Sequence, residues 1–148
     1  MTPLYFAYGS NLDTGQMRLR CPGAAADASA VLRGYRLAFG GYSARWRGAV
    51  ATLVREQGEF VDGLLYRVPR REIAILDLFE GCPFVYERVR VSVKDALGRR
   101  RRAQAYVLAP PQLLGEPGVA YLDALVRAYG RLGFDRRPIL TAALGRAA

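Results

Sequence analysis

The chain has 148 residues, 51% of them hydrophobic, and carries a net charge of +9 from 22 basic and 13 acidic residues. Two cysteines, Cys21 and Cys82, are too few for a disulfide framework, and no apolar run approaches the ~20 residues that span a bilayer. Histidine is absent, which excludes Ser-His and Cys-His nucleophile pairs and any histidine-based metal site.

Tyr5 to Tyr8 reads as a first strand, four β-favouring residues that run directly into Gly9-Ser10-Asn11. A helix is expected from Asp13 to Arg20, ended by Cys21-Pro22-Gly23. A strand that turns this abruptly into a helix presents backbone N–H groups that can bind a carboxylate or a developing oxyanion. An ordinary capped turn that binds nothing has the same sequence signature.

A long strand is expected from Ala28 to Phe39, broken at Gly40-Gly41. Two more follow, Ala49 to Arg55 and Phe60 to Val68, joined by the polar turn Glu56-Gln57-Gly58-Glu59. Pro69 opens a helix with an apolar stripe of Ile73, Leu76 and Phe79, and Gly81 is a suitable left-handed cap for its end. From Val85 to Val93 the sequence alternates, and Arg102 to Leu108 pairs with it across a turn at Asp95-Ala96-Leu97-Gly98. Helices are expected from Val119 to Leu132, buried through Leu122, Leu125, Val126 and Tyr129, and from Pro138 onward. Six strand segments with one helix amid them and two at the end define an α+β protein, one domain over residues 1–148. Its sheet is a curled mixed sheet or small β-barrel flanked by helices.

Without histidine, proton transfer near neutral pH falls to a carboxylate, a tuned lysine, a tyrosine or a thiol. The one lysine, Lys94, lies at a strand end. Glu80 stands out as the last residue of its helix, where the negative end of the dipole disfavours an ionised carboxylate. Phe79, Cys82, Pro83 and Phe84 around it add desolvation, and both effects raise its pKa. An exposed helix-end glutamate is the alternative. Asp77, three residues earlier, reads as structural, an acceptor that holds the following loop.

The arginines are mostly scattered, and the run Arg99 to Arg102 reads as a solvated hairpin tip. No aromatic residues interleave with it as in single-strand binders, so nucleic acid is not expected as a partner. No membrane partner is expected, no secretory signal is visible, and a cytoplasmic location is the default. A homodimer is left open.

Taken in order, these segments resemble the γ-glutamylcyclotransferase family in its AIG2-like, YGSNL form. The resemblance rests on Tyr5-Phe6-Ala7-Tyr8-Gly9-Ser10-Asn11-Leu12, Arg18-Leu19-Arg20-Cys21-Pro22 and Trp46-Arg47-Gly48-Ala49-Val50-Ala51-Thr52. It continues through Gly63-Leu64-Leu65-Tyr66, Leu76-Asp77-Leu78-Phe79-Glu80-Gly81 and Ala105-Tyr106-Val107-Leu108.

The resemblance implies an enzyme that cleaves a γ-glutamyl amino acid or amine. The substrate's own α-amino group attacks the γ-carbonyl, giving 5-oxoproline and a free amino acid or amine. Glu80 is implied as the catalytic acid and base. Tyr5, Phe6, Ala7, Tyr8, Gly9, Ser10, Asn11 and Tyr106 are implied as substrate contacts. No metal or organic cofactor is implied. Whether the Gly9–Asn11 turn holds the oxyanion or the α-carboxylate is open. Cys82-Pro83-Phe84-Val85 follows the base, and its apolar character hints at a hydrophobic leaving group. Removal of a γ-glutamyl protecting group in a biosynthetic pathway is a nearby alternative. Outside enzymes, the alternatives are a non-catalytic binder of γ-glutamyl ligands and a basic nucleic-acid-binding module.

Overall fold

Two strands of about twenty residues each form the frame of the molecule. The computed structural model describes residues 2–111 and 113–145. In it β1 (Leu4–Ala7) is followed by a 3-10 turn (Ser10–Leu12), α1 (Thr14–Arg20), β2 (Ala25–Ser43) and β3 (Gly48–Arg67). Next come α2 (Arg70–Glu80), β4 (Tyr86–Asp95), β5 (Arg100–Leu108), α3 (Val119–Leu132) and α4 (Arg137–Ala143). The five strands close into a barrel in the order β1-β3-β2-β4-β5. β1 pairs antiparallel with β3, Tyr5 opposite Tyr66, and parallel with β5, Tyr5 opposite Gln104. The sheet is therefore mixed, and the short first strand is what closes it.

The strand count is five rather than six. Glu56 to Glu59, expected to be a turn, lies within β3. The register explains the difference, since Arg33 faces Phe60 while Tyr35 faces Arg55. Four residues, Glu56 to Glu59, thus bulge out opposite Gly34 alone. Gly34 and Gly58 take φ of 85° and 89°, a left-handed conformation that glycine adopts without a side-chain clash. The expected break at Gly40-Gly41 is likewise only a register shift inside β2.

The barrel interior is packed by Phe6, Leu32, Leu65, Val93 and Ala105, all essentially inaccessible to water. α2 lays Ile73 and Leu76 on this core, whereas Phe79, expected in the same stripe, is about half exposed. Glu72 on α2 is buried and accepts from the Gly23 N–H at 2.9 and 3.1 Å, which fixes the loop after α1. α3 spans the expected residues, but its buried face is turned toward Tyr121 and Ala128, with Leu122 and Val126 only partly covered.

At the β4–β5 hairpin the Arg99 to Arg102 run is not simply solvated. The buried Asp95 carboxylate accepts from Arg99 at 2.9 Å and Arg101 at 3.1 Å, and Arg101 also reaches Asp27 at 3.0 Å.

The segment from 113 to 118 runs back along the ends of the two long strands. Gly41 N–H donates to the Leu113 carbonyl at 3.0 Å, Gly115 N–H to Phe39 at 3.0 Å, and Ala49 N–H to Glu116 at 2.9 Å. Where it passes Trp46 to Gly48, Gly48 and Gly118 meet backbone to backbone. A Cβ on either residue would collide with the other segment's main chain. This close passage delivers the chain into α3.

Candidate active site

One end of the barrel opens into a cavity of about 480 Å³. Its wall combines the turn after β1, the end of α2 and the start of β4. It also includes the connection between β2 and β3 and one residue of α3.

The turn is tied down from below. Leu12 and Asp13 N–H donate back to the Gly9 and Ser10 carbonyls at 3.0 and 3.1 Å. Asp13 caps α1, its carboxylate accepting from Gly15 and Gln16 N–H. These bonds do not consume the N–H groups of Gly9, Ser10 and Asn11. The Ser10 N–H faces the Tyr121 hydroxyl.

Asn11 is buried and fully engaged. Its amide nitrogen donates to the Tyr5 hydroxyl at 3.1 Å, and its oxygen accepts from Gln16 at 2.9 Å and Arg20 at 3.3 Å. The Tyr66 hydroxyl donates to the Asn11 carbonyl at 2.7 Å.

Glu80 ends α2 as the capping logic requires. Gly81 takes φ 65°, ψ 31°, and its N–H closes on the Asp77 and Leu78 carbonyls. The Glu80 side chain lines the cavity. Burial raises its pKa to about 7, and the Arg20 guanidinium draws it partly back. Its charge is felt by the hydroxyls of Tyr5, Tyr8, Tyr86, Tyr106 and Tyr121, five tyrosines gathered around one carboxylate.

Of the residues singled out from the sequence, Tyr5, Tyr8, Gly9, Ser10, Asn11, Glu80 and Tyr106 line this cavity. Phe6 and Ala7 do not; both are wholly buried, Phe6 packing on Tyr8. Tyr106 stands edge-on to Tyr5 at 5.7 Å, and its hydroxyl donates to the Asp77 carboxylate at 2.5 Å. The Tyr8 hydroxyl donates to the Tyr106 carbonyl. Asp77 therefore holds β5 through its side chain, with Arg88 at 3.6 Å, while its backbone carbonyl holds the following loop through Cys82 N–H.

Three residues of this wall escape a reading of the sequence. Tyr121 comes from α3; its hydroxyl accepts from Ala51 N–H at 2.9 Å, and Trp46 stands edge-on to its ring at 5.1 Å. Arg20 lies over the Phe79 ring at 5.0 Å, and Arg45 over the Trp46 ring at 5.2 Å. Arg20 falls in the segment Arg18 to Pro22 that carries the family resemblance, though no role follows from it there, and no sequence signal distinguishes Arg45 from the other arginines. Among the described residues, no group of three or more His, Cys, Asp or Glu side chains could hold a metal ion. No helix among them is long and apolar enough to cross a membrane.

A partly buried carboxylate of raised pKa beside a turn that offers backbone N–H groups is a constellation for proton transfer coupled to oxyanion stabilisation. Residues 5–123 match the family described as gamma-glutamyl cyclotransferase, AIG2-like, and the chain belongs to that family. It is similar to the γ-glutamylcyclotransferases of Mus musculus (36% identical over 120 residues) and Homo sapiens (33% over 118). These alignments cover 74% and 73% of this chain but 64% and 63% of the two relatives, so it spans just under two thirds of their length. A solved gamma-glutamyl cyclotransferase superposes over 96% of this chain and 86% of its own, with a TM-score of 0.88 at 26% identity.

Proposed function

We propose that the protein is a γ-glutamylcyclotransferase, releasing 5-oxoproline and an amine or amino acid from a γ-glutamyl substrate, with Glu80 as the group that moves the proton. The observation that carries this reading is Glu80 itself, a carboxylate raised to about 7 in the wall of a cavity shared with the Gly9–Asn11 turn.

The chemistry asks for such a group. An α-ammonium is not a nucleophile until a base removes a proton, and the departing nitrogen must gain one. A carboxyl group poised near neutrality accepts the first and returns the second. The α-nitrogen bonds to the carbonyl carbon of the γ-amide, closing a five-membered ring, the γ-amide C–N bond breaks, and the proton travels from one nitrogen to the other through Glu80. Ring closure is intramolecular, so the cavity's further task is to hold the chain folded, which contributes on the order of 7 kcal/mol in favourable cases. Tyr5, Tyr8 and Tyr106 shape the wall against which the glutamyl unit folds, and Tyr106 is fixed by Asp77. The N–H groups of the turn suit the tetrahedral oxygen.

The test is release of 5-oxoproline from a panel of γ-glutamyl amino acids and amines by the wild type and by Glu80→Gln. The wild type is expected to release it and the folded variant not to. Silence of the wild type across the panel would sink the enzyme reading, and equal turnover by the variant would move the base elsewhere.

A further inference from the structure

The cavity carries more positive charge than a γ-glutamyl unit needs. Its lining holds one carboxylate, Glu80, and two guanidiniums, Arg20 and Arg45. A γ-glutamyl unit brings a single α-carboxylate. Arg20 belongs to the turn side, bonded to Asn11 and stacked on Phe79, and one guanidinium is enough for that carboxylate. Arg45 is left over. It sits on the connection between β2 and β3, and no ion pair or side-chain hydrogen bond engages it among the described residues. Its guanidinium is instead oriented by the Trp46 face, which leaves the planar fork of donors available to a carboxylate.

A second observation concerns the residues that flank Glu80. Leu78, Phe79 and Val85 line the cavity yet are 80%, 53% and 55% exposed. They come from the end of α2 and the loop just after it. The departing nitrogen must approach Glu80 to receive its proton, so the substituents on that nitrogen lie against these side chains. An apolar substituent would cover them; a small or charged one would leave them in water.

We propose that the leaving group is an α-amino acid with an apolar side chain, its carboxylate bound by Arg45 and its side chain covering Leu78, Phe79 and Val85. This rests on the cyclotransferase reading of the same cavity and assigns its second half. Ring closure alone supplies the bond changes, and no co-reactant enters.

Three substrates test it: γ-glutamyl-leucine, γ-glutamyl-leucinamide and γ-glutamyl-glycine. The wild type is expected to favour the free carboxylate over the amide by about tenfold in kcat/KM, the scale of a charge-assisted hydrogen bond. It should favour leucine over glycine by about tenfold or more, the scale of a filled apolar pocket. In Arg45→Gln the carboxylate-to-amide ratio should fall toward one while the leucine-to-glycine ratio persists, and Arg45→Lys should fall between. Leu78→Ser should lower the second ratio and spare the first. A merely structural role for either residue would move all three substrates together. Release of 5-oxoproline at equal efficiency from all three, or ratios that ignore both variants, overturns this inference and leaves the cyclotransferase reading standing. No release from any γ-glutamyl compound overturns both.

Discussion

Asn11 and Arg20 are joined by a 3.3 Å hydrogen bond, and through it the turn after β1 positions a guanidinium whose field lowers the pKa of Glu80. Asn11 makes this bond while also satisfying the Tyr5 hydroxyl and Gln16. One buried amide thus ties a strand, a helix and the electrostatics of the cavity together.

Asn11→Ala should therefore be costly in two ways. It leaves the buried Tyr5 hydroxyl without its partner, a loss of about 1–3 kcal/mol that urea denaturation can measure. It also releases Arg20, so kcat/KM should fall even in the folded fraction, which a low-temperature assay separates from unfolding.

Arg20→Gln isolates the field from the scaffold, because glutamine can still donate to Asn11. With the positive charge gone, the Glu80 pKa should rise further. The acidic limb of the pH profile of kcat/KM, governed by ionisation of the base, should move to higher pH. An unchanged limb would detach Arg20 from the base.

Stability should depend on pH through Glu80 in the opposite sense to an ordinary paired carboxylate. Its pKa is about 7 in the folded chain and 4.5 ordinarily, so the folded state holds a proton that the unfolded state sheds between those values. The contribution is fully present below pH 4.5 and is lost as pH rises through 7, a change of about 3 kcal/mol. Glu80→Gln removes that loss. The variant should gain about 3 kcal/mol on the wild type between pH 4.5 and pH 8, measured by denaturation at each pH.

Tyr106→Phe leaves the Asp77 carboxylate with only Arg88 at 3.6 Å. A destabilisation of about 1 kcal/mol is expected, because a half-buried acceptor loses its donor. The companion Asp77→Asn keeps an acceptor and should cost less, and thermal melts of the pair would show it.

Gly63→Ala tests the barrel wall. A Cβ at Gly63 would press into the Phe6 ring and lie 2.6 Å from the Ala7 carbonyl oxygen, at the strand that carries the turn. Overpacking there should cost about 1–3 kcal/mol, visible as a lowered denaturation midpoint.

What the sequence made legible was local. Pro69, the Ile73 and Leu76 spacing and Gly81 define α2 with short-range rules, and so Glu80 could be placed at the helix end. β3 was misread because Glu56 to Glu59 has the composition of a turn, and only its partner Gly34, twenty-odd residues away, turns it into a bulge. Tyr121 was missed because a tyrosine at helical spacing reads as core, and nothing in α3 reveals that its hydroxyl meets Ala51. The roles of Arg20 and Arg45 were hidden for a similar reason. An arginine's role depends on what it stacks against, and Phe79 and Trp46 come near them only in the fold.

The crossing of Gly48 and Gly118 bears on the order in which the molecule is made. Every strand of the barrel has been synthesised once Leu108 has emerged, and Glu80 with it. Tyr121 follows only after the chain has passed back over Gly48. A chain still on the ribosome can thus close its barrel before Tyr121 has emerged to join the cavity wall.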